Sequence, residues 1–331
     1  MKKYYLILLL LAGSSCERLL IEENPQNTLV ENFEVFWQEF DRHYSFLALK
    51  QIDWDSVYQI NRPRVARFTT NKELYDLFEE IILNLEDGHV NLFAGNRSVR
   101  YDFTEGFPVN SPEFASRYLE NVIQPADQIF YADVVNTNLG FISIRSFGGN
   151  QAAFENIDVI IQQFADKAGI IIDVRSNGGG SDTNSNTIAA RFTDQRRLYR
   201  RFRYRNGPQS TDFTDWLDDY IEPKGTYFSR PVAVLTNRGC YSATEDFILA
   251  MRQFSQVTVV GGVTGGGSGN PIIRELPNGW VFRLSSWMVA SPDFTIYEGI
   301  GLAPDVQVTI SEADIAEERD TILEEAIKLL Q

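Results

Sequence analysis

The stretch from residue 231 to residue 254 reads PVAVLTNRGCYSATEDFILAMRQF and contains one complete structural unit. Its first five residues, PVAVL, are all apolar, which is typical of a strand that is buried on both faces of a sheet. The segment Asn237-Arg238-Gly239-Cys240 then predicts a turn, and residues 242–254 are predicted to form a helix. A buried strand that turns directly into a helix is the unit from which α/β cores are built.

The same alternation of strands and helices continues on both sides of this unit, so we expect an α/β core over residues 136–331. Strands are predicted at 139–144, 169–174, 231–235, 257–260, 272–276 and 280–284. One helix is predicted after the first of these strands and ends near residue 164. Further helices are predicted over 182–192 and 242–254. A last, single helix is predicted to follow the capping residues at 311–314. The turn Asn278-Gly279 predicts that the last two strands form a hairpin.

The chain before this core has a different pattern. Apolar residues recur at three- and four-residue steps over 31–44 and again over 72–85, which predicts two amphipathic helices. We assign residues 29–94 to a small N-terminal helical subdomain. Residues 95–135 show little periodicity and are predicted to form connecting strands or loops. Residues 17–28 are polar and are predicted to be a tether.

The first sixteen residues have the pattern of an export signal. Lys2 and Lys3 precede an apolar run at 4–12, which is shorter than the roughly 20 residues needed to span a bilayer. The run ends in Gly13-Ser14-Ser15-Cys16 and resembles a bacterial lipoprotein signal, in which Cys16 would carry the lipid. The alternative is a plain signal peptide that is cut nearby. We expect an exported protein of the cell envelope, held to the membrane only through this lipid.

Composition excludes several classes of partner. The 331 residues are 44% hydrophobic, which is enough for a sizeable core, and the formal net charge is −15. A negative field of this size repels nucleic-acid phosphates and anionic lipid headgroups, so we expect no nucleic-acid partner. Two cysteines and two histidines are too few for a Cys/His zinc site. No metal and no other cofactor is expected.

Ser242 is the first candidate for chemistry, because it stands where the predicted turn becomes a helix. Unpaired backbone N–H groups and the helix dipole favour a developing negative charge at that end of a helix. A serine there could act as a nucleophile beside an oxyanion hole. The segment from Ser242 to Glu245 (SATE) also matches a capping box, so a purely structural role is the alternative.

Three further segments contain candidate groups. Residues 175–180 (RSNGGG) follow a buried strand, and their glycine N–H groups could face a substrate carbonyl, although an ordinary glycine-rich turn has the same pattern. His89, in Asp87-Gly88-His89-Val90, fits a general base better than His43, which lies in a helical stripe. Glu298 could orient an imidazole or be a surface carboxylate. A thiol enzyme based on Cys240 and His89 is a weaker alternative, since Cys240 precedes the helix.

Together these motifs resemble the C-terminal processing (tail-specific) serine peptidase family, in its tricorn-like and retinoid-binding-protein-like branch, over residues of about 30–310. The resemblance implies a ClpP/crotonase-like ββα-superhelix core with a helical N-terminal subdomain. It also implies Ser242 as nucleophile, His89 as base and Glu298 as the residue that holds the imidazole. The implied oxyanion hole is the N–H of Ala243 with that of Gly178 or Gly179.

The sequence departs from the family in three places. Gly267 stands where the Ser–Lys branch has its lysine, and Gly88 stands where the tricorn-like site has a serine beside its histidine. Residues 95–135 are too few for the PDZ domain of about 90 residues that many members insert, so we expect no PDZ domain.

These inferences predict a serine endopeptidase that cleaves exported or envelope proteins and peptides, with a peptide or unfolded protein as its substrate. The alternative is a catalytically inactive protein of the same fold that binds a peptide or an apolar ligand. The oligomeric state stays open. If His89 is the base, an unperturbed imidazole pKa of about 6.5 predicts that activity falls as the pH drops below neutral.

Overall fold

The computed structural model describes residues 25–108 and 110–331. The predicted signal peptide with Cys16 lies outside the described residues, as does most of the predicted tether. The described ranges contain nine α-helices: α1 Leu29–His43, α2 Trp54–Val65, α3 Asn71–Asn84, α4 Gln151–Glu155, α5 Ile157–Gln163, α6 Asp182–Ala189, α7 Ala243–Met251, α8 Glu312–Ala316 and α9 Thr321–Leu330. None of these helices is long and apolar enough to cross a membrane.

Fourteen strands lie in the same described ranges, and a 3₁₀ helix (Pro112–Tyr118) precedes the third. They are β1 Asn91–Ala94, β2 Arg97–Arg100, β3 Leu119–Ala126, β4 Ile129–Val134, β5 Leu139–Ile144, β6 Gly169–Asp173, β7 Arg197–Tyr204, β8 Leu217–Ile221, β9 Val232–Thr236, β10 Val257–Gly261, β11 Pro271–Glu275, β12 Val281–Ser285, β13 Trp287–Ala290 and β14 Val306–Gln307. All six predicted strands are confirmed to within one residue at each end.

The core is a seven-stranded sheet in the order β14-β10-β9-β6-β5-β4-β3. The strands from β14 to β5 are parallel to their neighbours, whereas β4 and β3 are antiparallel. Every residue of β5, β6 and β9 is buried, as their apolar runs predict. Because β3 and β4 come from residues 95–135, the sheet also includes the segment predicted as connecting strands or loops. No PDZ domain is present in the described part of that segment.

A second sheet, in the order β11-β12-β1-β2, joins the two ends of the chain. Leu92 of β1 lies opposite Phe282 of β12, and both face the core formed with α1–α3. In that core the ring of Phe36 lies 5.3 Å from the ring of Phe282. The predicted subdomain boundary at residue 94 therefore falls between β1 and its hairpin partner β2. Helices α1–α3 pack onto a sheet whose other two strands, β11 and β12, come from the C-terminal half of the chain.

Several elements differ from the sequence-based expectation. The helix predicted to end near residue 164 is two short helices, α4 and α5. Helix α2 contains Pro63 and has a weak apolar stripe, which explains why periodicity did not predict it. A three-stranded sheet, β13-β7-β8, was also not predicted. The prediction of a single C-terminal helix is wrong, because the helix is interrupted between α8 and α9. Glu318 has a φ of +55° there, and Asp320 begins α9 by accepting the N–H of Leu323.

A buried ion triad explains where α9 begins. Arg175 follows β6 and donates hydrogen bonds of 2.7–3.2 Å to both oxygens of Asp173. Its other side donates to the two oxygens of Asp320, at 2.8 and 2.7 Å. The three side chains are almost fully removed from solvent, so each charge depends on the others. The triad fixes the C-terminal helix to the end of a central strand.

We therefore predict that Asp320→Ala lowers the free energy of unfolding by about 3–5 kcal/mol, because it leaves a buried guanidinium half-paired and removes the helix cap. Urea denaturation followed by circular dichroism measures this change. Glu317→Ala, an exposed carboxylate in the same connection, is the matched control and should change stability by less than about 0.5 kcal/mol. Equal effects from the two variants would contradict a structural role for the triad.

Candidate active site

Ser242 stands in a strained turn between β9 and α7. Its φ is +58° and its ψ is −127°, outside the extended region that a helix-capping residue normally adopts. Holding a residue other than glycine in such a conformation costs about 1–3 kcal/mol, and this strain is concentrated at functional sites. A sharp strand-to-helix turn of this kind exposes a nucleophilic hydroxyl. Capping alone does not account for this backbone.

Glu245, three residues later, holds the turn against the glycine-rich loop at 264–269. Its carboxylate accepts the N–H of Ser242 at 3.1 Å and the hydroxyl of Thr264 at 2.5 Å. It also accepts the N–H groups of Gly266 and Gly267, at 2.8 and 2.7 Å. Burial raises the pKa of Glu245 to about 7, although these donors favour the ionised form.

A polar cavity of about 520 Å³ opens beside Ser242. It brings together residues that lie far apart in the sequence: His89 from before β1, the glycines after β6, and Ser242. Its lining is Gly88, His89, Asn91, Arg100, Ser146, Gly178, Gly179, Gly180, Tyr241, Ser242, Asn270, Pro271 and Arg283. A smaller cavity of about 120 Å³ lies on the side of Ala243 and the glycine-rich loop, and Ser242 lines both.

The backbone N–H groups of Ala243 and Gly178, near Ser242, have no acceptor among the residues that the structure describes. The N–H of Gly179 instead donates to the Asn177 side chain at 2.9 Å. Gly179 has a φ of +99°, and a Cβ there would lie 2.8 Å from the Cβ of Ser242. The resemblance implies that Gly178 or Gly179 donates to the oxyanion, and only the N–H of Gly178 is without an acceptor in the described residues. Gly179 instead allows the turn to approach Ser242 closely.

His89 is buried, with 6% of its surface exposed, and its Nδ1 has no hydrogen-bond partner in the described ranges. Burial lowers the pKa of His89 to about 4; Asp87 opposes this shift, while Arg283 and Arg100 add to it. The imidazole is therefore neutral at pH 7 and available as a base. The unperturbed pKa assumed from the sequence is wrong for this site, because a lone histidine in a sequence gives no information on its burial.

Glu298 is buried but makes no hydrogen bond to His89 in the described part of the chain. One carboxylate oxygen accepts both the N–H and the hydroxyl of Ser268, each at 2.8 Å. The other lies 4.0 Å from the Nζ of Lys50, a residue that the sequence gave no reason to place here. Burial and then the charge of Asp87 raise the pKa of Glu298. The proposed contact between Glu298 and the imidazole is not formed directly.

The tricorn-like site has a serine beside its histidine, and this chain has Gly88 there. A serine side chain does not fit at that position. A Cβ on Gly88 would lie 2.6 Å from Cδ1 of Phe103 and 2.9 Å from the hydroxyl oxygen of Tyr241. The Tyr241 ring lies 4.7 Å from that of His89, between centroids. Sequence analysis missed Tyr241, although it directly precedes Ser242 and a large aromatic there was a usable signal.

The remaining candidates lie outside the cavity lining. Cys240 is buried and donates to the carbonyl of Val174 at 3.0 Å, and burial raises the pKa of its thiol, so the thiolate needed for a thiol enzyme is disfavoured. His43 lies on α1, 3.7 Å from Glu39. Across the described ranges, no three His, Cys, Asp or Glu side chains are grouped to hold a metal ion.

Comparison with known proteins places these observations in a family. The profile of peptidase family S41 matches residues 138–308, and that of the tricorn protease C1 domain matches residues 25–82. A solved structure of a putative peptidase from Parabacteroides merdae is 38% identical, with a TM-score of 0.84, and the match covers 92% of this chain and 97% of that one. The photosystem II D1 C-terminal processing protease shares the fold at 17% identity and a TM-score of 0.57, over 90% of this chain and 97% of that one.

Among curated proteins, the carboxy-terminal processing protease CtpA of Bacillus subtilis is 26% identical over 174 residues. The match covers 51% of this chain and 35% of CtpA, so the chain spans about a third of that relative's length. The resemblance inferred from the sequence motifs is confirmed by these matches. The S41 profile covers the five parallel strands of the core sheet, both glycine-rich segments and Ser242, and the chain belongs to peptidase family S41.

Proposed function

We propose that this protein is a serine peptidase that hydrolyses peptide bonds of exported or envelope proteins and peptides. The observation that carries the proposal has three parts: the strained Ser242, a buried and neutral His89 that lines the same cavity, and the N–H groups of Ala243 and Gly178, which have no acceptor in the described residues. A structural serine requires none of these three features. The names of the S41 relatives support the same reaction class.

In this proposal the Ser242 hydroxyl attacks the carbonyl carbon of the scissile peptide while His89 takes its proton. The resulting oxyanion accepts hydrogen bonds from the N–H groups of Ala243 and Gly178, and the N-terminus of α7 adds a favourable dipole. His89 then returns the proton to the leaving amine. A water molecule, deprotonated by His89, releases the acyl group and regenerates the serine.

Glu298 enters the proposal as a positioning residue. It holds Ser268, and with it the glycine-rich loop that lines the smaller cavity beside Ser242. The two side chains share no hydrogen bond in the described structure, so Glu298 does not orient the imidazole through one.

One observation favours the alternative of an inactive protein that binds a peptide or an apolar ligand. The Nδ1 of His89 has no acceptor in the described residues, whereas a catalytic imidazole is normally oriented by one. Incubating the parent protein with a mixed peptide library and analysing products by mass spectrometry separates the two functions. A pure binder leaves the library intact.

We predict that Ser242→Ala abolishes peptide cleavage, a fall of at least about thousandfold, because the nucleophile is lost. Product formation is measured by mass spectrometry. Ser311→Ala is the matched control: Ser311 caps α8 by accepting the N–H of Asp314, so its loss should cost about 1 kcal/mol of stability and leave turnover unchanged. Parent-level turnover in Ser242→Ala would refute the nucleophile assignment.

We predict that the acid limb of the kcat/KM profile lies below pH 5. The pKa of His89 is lowered to about 4, so the imidazole gains its proton, and stops accepting one from Ser242, only as the pH falls through that value. His89→Gln should lose most activity and His43→Gln should retain it. An acid limb at or above pH 6.5 would show that the base is not this buried imidazole.

Export and lipidation at Cys16 are proposals from the sequence. We predict that the parent protein partitions into the detergent phase of a Triton X-114 extract, and that Cys16→Ser moves it to the aqueous phase because the acylated residue is lost. Mass spectrometry of the mature N-terminus checks the modification. Cys240→Ser is the control and should stay in the detergent phase.

A further inference from the structure

One face of the second sheet packs against α1–α3, and the other face points away from these helices. Leu92, Phe282 and Leu284 belong to the core that the sheet forms with the helices. Because side chains alternate along a strand, the residues between them point to the outer face. Strand pairing arranges that outer face in rows, of which one is Ile273, Arg283, Asn91 and Arg100, and the next is Glu275, Val281, Phe93 and Ser98.

The first of these rows reaches the larger cavity. Asn91, Arg100 and Arg283 line that cavity together with Ser242 and His89. Phe93, in the second row, lies two residues beyond Asn91 on β1, which is about 7 Å farther along the strand. The outer face of the sheet therefore continues the cavity wall away from Ser242.

Three apolar side chains form a patch on this continuation. Phe93 lies directly opposite Val281, and Ile273 on β11 is the diagonal neighbour of Val281. Side chains in such positions are within reach of one another. Phe93 and Ile273 nevertheless remain 46% and 65% exposed. Single exposed apolar residues need no explanation, whereas a contiguous apolar patch beside a polar cavity is typical of a binding surface.

The size of the outer face favours an extended peptide over a second folded protein. Each of its four strands has only four or five residues. At the usual strand spacing and rise, the face measures roughly 19 by 15 Å, or about 300 Å². A stable complex of two folded proteins covers about 800 Å² on each partner. An extended peptide covers a narrow strip and presents every second side chain to the surface beneath it.

We propose that the patch of Phe93, Val281 and Ile273 docks an extended segment of the substrate that carries apolar side chains at alternate positions. The inference rests on the proposed peptidase function and adds a substrate class to it, namely unfolded polypeptide with an apolar segment close to the cleaved bond. An extended peptide rises about 3.3 Å per residue, so two or three residues beyond the part in the cavity reach the patch.

Binding is measured with Ser242→Ala protein, so that the readout does not depend on turnover. Fluorescence anisotropy compares two labelled peptides of equal length and charge, both with an amidated C-terminus. One carries leucines at alternate positions, and the other has serine in their place. The leucine peptide should bind about tenfold or more tightly, because each leucine that leaves water on the patch contributes favourable transfer free energy. Equal affinity of the two peptides would overturn the inference.

The preference for leucine should disappear when Phe93→Thr and Ile273→Thr are added, since threonine suits a strand but offers little apolar surface. Ile60→Thr is the matched control, because Ile60 is 64% exposed but lies on α2. It should preserve the preference. A preference that survives the double change would contradict the proposed docking. Should the double variant not fold, Ile273→Thr alone should weaken the preference, and an unchanged preference there counts against the inference.

A second copy of the chain is the competing occupant of this face. Sedimentation velocity of the parent protein and of the double variant separates the two occupants. Equal sedimentation of both proteins is expected. A parent dimer that becomes a monomer in the Phe93→Thr, Ile273→Thr variant would identify the face as an interface between copies and overturn the inference.

The inference and the proposed function can fail separately. If the parent protein cleaves no peptide but the leucine preference and its loss are observed, the peptidase function fails and the docking patch stands. If the parent protein cleaves the leucine and serine peptides with the same KM, and the double variant does not change that KM, the docking patch is wrong and the peptidase function stands.

Discussion

The Glu245 carboxylate is the interaction on which the rest of the site depends. It is buried, and it accepts four hydrogen bonds from the nucleophile turn and the glycine-rich loop. Gly267, where the Ser–Lys branch of the family has its lysine, supplies one of these donors. A Cβ at Gly267 would lie 2.0 Å from the Tyr241 ring, so no side chain fits there. In the proposed mechanism the base therefore comes from another part of the chain.

The second sheet holds the proposed base, His89, at the cavity that Ser242 also lines. The turn before β1 is fixed by Asp87, whose carboxylate accepts the backbone N–H of His89 and the hydroxyl of Ser285, both at 2.8 Å. Because Ser285 ends β12, the pairing of β1 with β12 joins the helical region to the α/β core at the level of the cavity. The proposed nucleophile thus follows a strand of the core sheet and the proposed base precedes a strand of the second sheet, so neither half of the chain contains both groups.

Charge is distributed unevenly around this arrangement. The buried Arg175 and Arg200 are neutralised by aspartates of the same chain, whereas Arg100 and Arg283, which line the cavity, make no ion pair in the described residues. Their field and the burial of His89 act in the same direction, since each disfavours the imidazolium. The two arginines at the cavity wall therefore help to keep the His89 imidazole neutral.

Local pattern determined four strands of the core sheet (β5, β6, β9 and β10), the turn before α7 and the motifs that contain Ser242, His89 and the glycines. Buried strands and glycine-rich turns depend on neighbouring residues, so the sequence pattern predicts them. Tertiary structure alone decided the pairing of β1 with β12 and the burial that lowers the pKa of His89. It also decided that the N–H of Gly178, and not that of Gly179, is left without an acceptor in the described residues, and that Glu298 contacts Ser268 instead of the imidazole. These features depend on residues up to about 200 positions apart, and the dielectric environment and free donors of a group exist only once such segments have packed together.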